Sequence, residues 1–372
     1  MKNIEQDTSI LTNQLLKKLL TYQESPCLSI YLTTHRHFPD NQPDTILFGN
    51  LVKKLEASLH QNYSKNEVSR FLKPFKELSN DTDFWSHTLD GLAVFGAPDF
   101  FQTLRLSWPI TELVTVGDSF HVKPLWRYLQ SVDRYQILGL SRDKIRFFEG
   151  NRHRLTELEL VQGVPQSIED ALGSELSEPH QTVASYGGVG GESTSMHHGH
   201  GGKKDEVKKD TEKFFRAVDR AVLEHFSQPT SLPLILAALP EHHHLFRQLS
   251  KNPHLISSGI NYNPNSLSIE KLREVAWETI EPLYHSRLVS LKQEFEQARA
   301  KGFGSDDLGQ VIEAAKLGRV ETLLIKNKII DPNADDELDN LGELVAKMGG
   351  QVFVLPEESM PTDTDLAAKF RY

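Results

Sequence analysis

A glycine- and histidine-rich stretch at residues 187–204 interrupts the chain near its middle. Glycine loses more conformational freedom on folding than any other residue, and the stretch contains no aliphatic run that could be buried. It therefore predicts a mobile surface loop inside a folded domain rather than part of a core. Structureless loops of this length within compact domains are usually functional or disordered.

The loop leads directly into a predicted helix at about residues 205–226. Apolar and small residues recur there at helical spacing and define a core-facing side, formed by Val207, Thr211, Phe214, Val218, Ala221, Val222 and His225. At roughly 100° per residue, four cations fall within about 60° of one another on the opposite side. They are Lys209, Lys213, Arg216 and Arg220. Two interpretations stay open: a solvated face with ordinary Lys–Glu pairs, or a surface that follows a phosphate backbone.

The charge of the chain is distributed unevenly. The formal net charge is −10, which argues against a protein that simply coats nucleic acid. Residues 267–372 contain 13 Lys and Arg against 20 Asp and Glu, a balance of −7, whereas residues 1–131 and 132–266 balance at −1 and −2. If the protein meets RNA, the first two parts are expected to do so, and the acidic last part is expected to face water or another protein.

The sequence favours a cytoplasmic protein without a membrane segment. Its longest apolar run, residues 232–239, contains Pro233 and is far too short to span a bilayer. The N-terminal residues lack the apolar core of a signal peptide. The single cysteine, Cys27, cannot form an internal disulfide and is expected to be a small buried residue. We expect no cofactor and a monomer.

The elements predicted along the chain indicate an α/β protein with three domains, at residues 1–131, 132–266 and 267–372. Helices are expected at 5–22, 44–59, 65–78, 241–249, 306–317 and 335–348, and over 268–300 with a break or kink at Pro282. Strands are expected at 27–33, 91–95, 102–107, 135–141, 144–149, 155–160, 232–239, 255–257, 320–325 and 351–355. Residues 126–132 are interpreted as a connector.

Two groups of polar side chains are candidates for function. Thr34, His35 and Arg36 follow a predicted strand, where loops commonly carry function, although a polar turn before two prolines explains them equally well. His197, His198 and His200 in the glycine-rich loop are weak candidates for metal binding, because no carboxylate or cysteine accompanies them at a fixed distance. They could instead lie against RNA, with bases stacked on imidazole. The run His242 to His244 lacks the i, i+4 spacing of helical metal ligands.

Several stretches in this order resemble the archaeo-eukaryotic release factors and Pelota, through the bacterial branch called baeRF. The resemblance covers nearly the whole chain. Its carriers are residues 29–36 (SIYLTTHR), 137–141 (ILGLS) with 148–150 (FEG), 314–325 (AAKLGRVETLLI) and 367–372 (AAKFRY). It implies a three-domain architecture of release-factor or Pelota type that mimics tRNA in the ribosomal A site. The middle domain is then expected to be ribonuclease-H-like, and the last an α/β sandwich of the kink-turn-binding ribosomal-protein type.

The resemblance also directs attention to the tip of the glycine-rich loop. Release factors of this type place Gly-Gly-Gln there, ahead of a basic helix, and use it to position water against the peptidyl-tRNA ester. The corresponding tip here is Gly201-Gly202-Lys203, with His200 before it and Lys204 after it, or alternatively Gly190-Gly191-Glu192. Neither contains glutamine, and an ionised lysine cannot both donate and accept hydrogen bonds as an amide does. Gly349-Gly350-Gln351 spells the tripeptide, but its position between a predicted helix and a predicted strand indicates a structural role.

Three functions follow as hypotheses. The first is a non-catalytic, ribosome-associated factor that binds the A site in hibernation or in rescue of stalled ribosomes, as the hibernation factor Balon of this wider group does. The second is a peptidyl-tRNA hydrolase that uses a modified Gly-Gly-X loop with Lys203 or His200. The third is a metal-dependent nuclease. Implied partners are the ribosome and ribosomal RNA, with Lys203, Lys204, the helix cations and Thr34, His35 and Arg36 as RNA contacts. A translational GTPase or the ribosomal stalk protein is a further partner expected for the acidic last domain.

Overall fold

The computed structural model describes residues 11–22, 24–175, 200–327 and 337–372, with the backbone alone at residues 13, 175 and 200–205. By its internal contacts the chain separates into two compact units. One combines Met1–Val132 with Arg287–Tyr372, and the other comprises Asp133–Ser286. The predicted three-domain division stays a prediction, although each of its three ranges contains one sheet. No helix of the described part is both long and apolar enough to cross a bilayer.

The first sheet is antiparallel and is covered on both faces. Its strands are β1 Cys27–Thr33, β2 Gly91–Ala97, β3 Phe100–Leu106 and β4 Leu113–Gly117, in the order β3-β2-β1-β4. The accompanying helices are α1 Asn13–Leu20, α2 Gln42–Leu59, α3 Lys65–Ser79, α4 Thr82–Ser86 and α5 Lys123–Leu129. Successive side chains of a strand point to opposite faces. Leu28, Ile30 and Leu32 accordingly pack with α2 and α3, whereas Cys27 and Tyr31 enter a second core.

That second core joins the two ends of the chain. Besides Tyr31 and Trp126 it contains apolar side chains from residues 311 to 368. The sequence-based interpretation of residues 126–132 as a connector was wrong, because Trp126 lies in α5 and is fully buried. A helix of two turns is too short to show a hydrophobic period, so the pattern could not reveal it.

The second sheet combines a meander with two parallel strands. Its strands are β5 Tyr135–Leu140, β6 Ile145–Gly150, β7 Leu155–Leu158, β8 Leu234–Ala238 and β9 Leu255–Ile260, in the order β7-β6-β5-β8-β9. β5, β6 and β7 are antiparallel, and β8 lies parallel to both β5 and β9. This is the strand order of the ribonuclease-H-like fold, which confirms the expectation for this part of the chain. The helices are α6 Ile168–Leu172, α7 His200–Val222, α8 Gln228–Thr230 and α9 Pro240–Leu249.

The third sheet contains the predicted parallel strand pair. The elements of this part are α10 Ile269–Ala300, β10 Gly304–Ser305, α11 Leu308–Lys316, β11 Val320–Lys326, α12 Glu337–Lys347, β12 Gln351–Leu355 and β13 Leu366–Phe370. The strand order is β10-β13-β11-β12, with β11 and β12 parallel. Together with α11 and α12 the sheet forms an α/β layer. The fold class predicted from the sequence, α/β with three sheet-containing regions, is therefore confirmed.

Pro282 does not break α10, so the predicted break is wrong, and the alternative of a kink stays a prediction. The helix is continuous from Ile269 to Ala300 with the proline inside it. Proline removes one amide donor from a helix. The Ser286 hydroxyl donates to the Pro282 carbonyl oxygen at 2.8 Å, so this helical turn has a side-chain hydrogen bond as well. Tertiary packing along the helix prevails over the local preference, since Ala276, Ile280 and Leu288 are buried.

Candidate nucleic-acid interface

Helix α7 presents a row of cations to solvent. Lys209, Lys213, Arg216 and Arg220, here called the cationic face, are all exposed. The opposite side buries most of the residues predicted to face the core, namely Thr211, Phe214, Val218, Ala221 and Val222. Val207, with 37% of its surface exposed, and His225, which is half-buried in the turn after the helix, are exceptions. The spacing therefore predicted both sides of the helix correctly for nearly all of its length, and the RNA-binding role of the cationic face stays a prediction.

The second half of α7 is fixed to its neighbours. The Asp219 carboxylate accepts hydrogen bonds from the Ser250 hydroxyl at 2.5 Å and from the Lys251 amide at 2.8 Å, just beyond α9. After α7 the chain makes a π-helical turn at Leu223–Ser227. Within that turn Phe226 stacks on Phe147 of β6 with ring centroids 4.0 Å apart. The cationic face thus lies on a rigid support.

Three of the four cations on this face have no ion pair within the described part of the chain. Among the described residues, Lys209, Arg216 and Arg220 form no ion pair. Lys208 is also exposed and adds a cation that the sequence interpretation overlooked, although the Lys208-Lys209 pair was a visible signal. Glu212 is half-buried rather than exposed, so exposed acidic side chains do not alternate regularly with these cations. Both interpretations of this face, an anionic partner or Lys–Glu pairs, stay predictions.

A groove of about 460 Å³ lies beside the C-terminal half of α7. Arg220 contributes to both the groove and the cationic face. Glu224 and His225 of the following turn line the groove as well, opposite Asp170 of α6. The Asp170 carboxylate is already engaged, because it accepts hydrogen bonds from two backbone amides in the capping box of α6. Arg220 can therefore donate to a ligand that extends from the cationic face into the groove.

The turn opposite His225 depends on glycine. Gly163 has φ +97°, and a β-carbon there would stand 3.2 Å from Nε2 of His225. A positive φ is a conformation that residues other than glycine seldom adopt. The groove therefore depends on a backbone that passes close to the imidazole, and no motif around Gly163 indicates this feature.

The residues predicted for the loop tip fall into two groups. Residues 187–199, including Gly190, Gly191, His197 and His198, lie outside the described residues. The backbone of His200, Gly201, Gly202, Lys203 and Lys204 is helical, because α7 begins at His200. The predicted start near residue 205 was thus five residues too late. Lys203, Lys204 and Glu206 are good helix formers, and the helix extends through two glycines despite a cost of about 1 kcal/mol each.

The predicted polar cluster after β1 is held by contacts inside its own part of the fold. Thr34 is only 2% exposed, and its hydroxyl donates to a main-chain oxygen at 2.7 Å. The His35 ring and amide bind the two oxygens of buried Asp44 at 2.9 and 2.7 Å. The Arg36 guanidinium binds Asp90 with two hydrogen bonds, of 2.7 and 3.0 Å. These contacts explain the cluster structurally, and its contact with RNA stays a prediction.

Gly349-Gly350-Gln351 has the structural role that the sequence indicated. Gly349 has φ +78° directly after α12, and Gln351 is the first residue of β12. A β-carbon on Gly350 would stand 2.5 Å from Cγ1 of Val345 and 2.7 Å from the carbonyl oxygen of Val320. Both glycines are therefore required by the turn and by close packing rather than by chemistry.

Other candidate reactive groups are buried and bonded. His243 places Nε2 2.9 Å from the carbonyl oxygen of Ile260, and burial lowers the pKa of its imidazole. Burial also raises the pKa of the Cys27 thiol to about 11, which leaves it protonated at neutral pH. Within the described ranges, no group of three His, Cys, Asp or Glu side chains is placed to hold a metal ion. The acidic side chain of Glu149 in the second sheet is engaged by Arg134 at 2.6 Å.

Comparison with solved structures finds matches at low identity and low TM-score. The archaeal translation termination factor aRF1 is 18% identical over 99% of this chain and 100% of that chain, with a TM-score of 0.27. Dom34 of S. cerevisiae, a translation termination-like factor that interacts with Hbs1, is 14% identical over 73% of this chain and 72% of its own, with a TM-score of 0.38. Archaeal Pelota, in a model of Pelota and ABCE1 bound to the ribosome, is 12% identical over 98% and 94%, with a TM-score of 0.41.

The family of this chain is shown by a match to a sequence-based family model, not by the solved structures. No curated protein is significantly similar to the chain. The family model for bacterial archaeo-eukaryotic release factor family 3 matches residues 134–319, which is half of the chain and includes the second sheet, α7 and α10. The chain therefore belongs to family 3 of the bacterial archaeo-eukaryotic release factors.

Proposed function

We propose that this protein is a ribosome-associated factor that binds ribosomal RNA through the cationic face of α7 and occupies the A site without cleaving peptidyl-tRNA. Family membership supports a role in translation. The observation that carries the proposal is the row of cations on α7, of which Lys209, Arg216 and Arg220 have no ion pair within the described residues. Such a row suits the phosphates of RNA, because neutralising phosphates releases counterions and supplies most non-specific affinity.

The geometry of the helix supports binding to an extended anion. From Lys209 to Arg220 the helix rises about 17 Å at 1.5 Å per residue, so its four cations can meet several phosphates along one strand. Asp219 and the stacked Phe226 hold the second half of α7 in place. Little ordering entropy is then lost by the backbone on binding, which favours affinity.

The chemistry at the start of α7 supports a role without hydrolysis. The sequence Gly201-Gly202-Lys203 has no glutamine, and its backbone belongs to the helix. The ammonium group of Lys203 can only donate hydrogen bonds, whereas a side-chain amide can orient water by donating and accepting at once. We infer that the protein protects idle ribosomes in hibernation or marks stalled ones for rescue in the cytoplasm, and that a translational GTPase or the ribosomal stalk protein is its protein partner.

Sedimentation on sucrose gradients tests the proposal. Tagged protein is followed in lysates from growing and stationary cells over a series of salt concentrations. The wild-type protein is expected to migrate with 70S particles at low salt and to leave them as salt increases. The variant with Lys209, Lys213, Arg216 and Arg220 all changed to Gln is expected to stay at the top of the gradient at salt concentrations where the wild type is still bound.

A variant of equal charge separates a local effect from a general one. Lys53, Lys54, Lys292 and Lys301 are exposed outside α7 and form no ion pair in the described part of the chain. Changing these four to Gln is expected to leave sedimentation unchanged. Equal loss in both variants, or absence of the wild type from 70S particles in every condition, would reject the proposal. Release of labelled peptide from ribosomal complexes by the purified protein would reject its non-catalytic part.

A further inference from the structure

Two helices end in the same way at one end of the third sheet. Helices α11 and α12 finish as Lys316-Leu317-Gly318 and Lys347-Met348-Gly349. In each case the glycine has a positive φ, +67° and +78°. The backbone amides that follow each helix donate hydrogen bonds to carbonyl oxygens of its last turn. After α11, Gly318 donates to Ala315 and Arg319 donates to Ala314. After α12, Gly349 donates to Ala346 and Gly350 donates to Val345. Both ends are Schellman motifs.

The two endings lie together, joined by the strand that leaves the sheet between them. The amide of Arg371 donates to the carbonyl oxygen of Arg319 at 2.8 Å. The Arg371 guanidinium donates to the carbonyl oxygen of Gly349 at 2.9 Å. The Arg319 guanidinium lies 5.4 Å from the ring centroid of Tyr372. We call the surface formed by Lys316, Leu317, Arg319, Lys347, Met348, Arg371 and Tyr372 the sheet-end patch.

Three large side chains of this patch are exposed without a structural need. Leu317, Met348 and Tyr372 have 68%, 43% and 64% of their surface accessible. A Schellman motif is stabilised by an apolar contact between the positions called C3 and C″, not by the residue that precedes the glycine. Leu317 and Met348 precede the glycines, so helix termination does not require them to be apolar. Adjacent exposed apolar groups rimmed by charge mark interaction sites.

The patch is cationic within the most acidic third of the chain. Residues 267–372 balance at −7, from 13 Lys and Arg against 20 Asp and Glu. The patch itself contains Lys316, Arg319, Lys347 and Arg371, and Lys347 has no ion pair among the described residues. Glu313 offsets Lys316 at 2.7 Å. The remaining positive charge is complementary to an acidic partner.

We propose that the sheet-end patch binds an acidic segment of another protein that inserts apolar anchors beside Leu317 and Met348. A protein segment fits better than RNA for two reasons. The guanidinium groups of Arg319 and Arg371 already donate to main-chain oxygens, which restricts clamping of phosphates. The apolar side chains of Leu317 and Met348 form no hydrogen bond or ion pair with a phosphate, whereas they can pack against a leucine or phenylalanine of a protein. This inference does not depend on the role of α7.

Fluorescence polarisation with the full-length protein tests this binding. The probe is a short labelled peptide in which Asp and Glu surround two Leu or Phe anchors. Comparison peptides replace Asp and Glu by Lys, or the anchors by Ala, and an oligouridylate of equal charge represents RNA. We expect saturable binding of the acidic, anchored peptide alone, with affinity that falls as salt increases.

Variants in the patch locate the site. The double change Leu317→Ser and Met348→Ser is expected to weaken binding at least about tenfold, because both apolar contacts with the anchors of the peptide are lost. Lys347→Glu is expected to weaken binding about threefold to tenfold and keeps the apolar surface. Matched controls are Leu283→Ser, an exposed leucine on α10 with 46% of its surface accessible, and Lys292→Glu. Equal binding by wild type and patch variants, absence of saturable binding, or preference for oligouridylate would overturn the proposal.

Discussion

The α-carbon of Gly342 lies against the indole of Trp126, so closely that a β-carbon at residue 342 would stand 2.3 Å from Cζ2 of the ring. Gly342 belongs to α12 and Trp126 to α5, and both are buried in the core that joins the two ends of the chain. A contact this close exists only because glycine has no side chain. It makes the packing of these two helices sensitive to a single methyl group.

Gly342→Ala is expected to lower the free energy of unfolding by roughly 1–3 kcal/mol, because overpacking forces the indole or the helix to move. Urea unfolding followed by tryptophan fluorescence measures the change. Gly49→Ala in α2 is the control, since a β-carbon there meets nothing within 4 Å. That variant is expected to be up to about 1 kcal/mol more stable than wild type, as alanine is the better helix former. Equal stability of the Gly342→Ala variant and wild type would show that the core adapts freely.

Glu343, next to Gly342, makes stability depend on pH. Burial raises the pKa of Glu343 to about 7, with Lys123 opposing the rise and Asp339 adding to it. Between the ordinary value of 4.5 and about 7 the folded protein keeps a proton that the unfolded chain has lost. The free energy of unfolding therefore falls as pH rises through this window and remains low above it.

Glu343→Gln is expected to remove this effect. At pH 8 the variant should be more stable than wild type by roughly 2–3 kcal/mol, and near pH 4 the two should be alike. Urea unfolding at a series of pH values measures both, with Glu358→Gln as an exposed control. Parallel stability curves for the Glu343→Gln variant and wild type would contradict the prediction.

Single substitutions on the cationic face are expected to change the salt dependence of binding. Each phosphate contact contributes about −0.7 to −0.9 to the slope of log K against log salt. Arg216→Gln and Arg220→Gln should each make the slope for purified 70S ribosomes shallower by about that amount. Filter binding from roughly 50 to 200 mM salt measures the slopes, and Lys292→Gln should leave them unchanged. Slopes that are identical in all four proteins would mean that α7 does not contact phosphates.

Loss of the Asp219 carboxylate is expected to loosen α7. Asp219→Ala leaves the Ser250 hydroxyl and the Lys251 amide without their acceptor, which should cost roughly 1–3 kcal/mol. Hydrogen exchange of the α7 amides and thermal unfolding measure the effect. Glu224→Ala, at an exposed acid on the same helical segment, serves as the comparison and should change stability by less than about 0.5 kcal/mol. If Asp219→Ala behaves like Glu224→Ala, the carboxylate is not an anchor.

Strong local patterns made much of the fold predictable. The strand at Cys27–Thr33 and the strand at Gln351–Leu355 have the predicted bounds, because each is a short apolar run between turn residues. The cations of α7 could be assigned to one face since helical periodicity needs no knowledge of the partner. β4 and β13 were not predicted as strands, because Leu113–Gly117 is half-exposed without alternation and Leu366–Phe370 is short.

Long-range contacts explain what the sequence could not show. Thr34, His35 and Arg36 were visible as a cluster of donors, but their acceptors lie on Leu89, Asp44 and Asp90. Nothing in the local sequence pairs these residues. The sheet-end patch was hidden for the same reason, because the ends of α11 and α12 are joined through Arg371 only when the sheet has formed. Residues 187–199, where the loop was expected, lie outside the described residues.

The core that contains both Tyr31 and Leu323 has a consequence for synthesis of the protein. The face of the first sheet that carries Tyr31 is completed by side chains from residues 311 to 368. While the chain grows, α1 and α5 cover only part of that face until residues 311–368 have been made, and Asp133–Ser286 is synthesised before them. Assembly of the first unit therefore waits for residues 311–368, and the nascent first sheet exposes part of an apolar surface in the meantime.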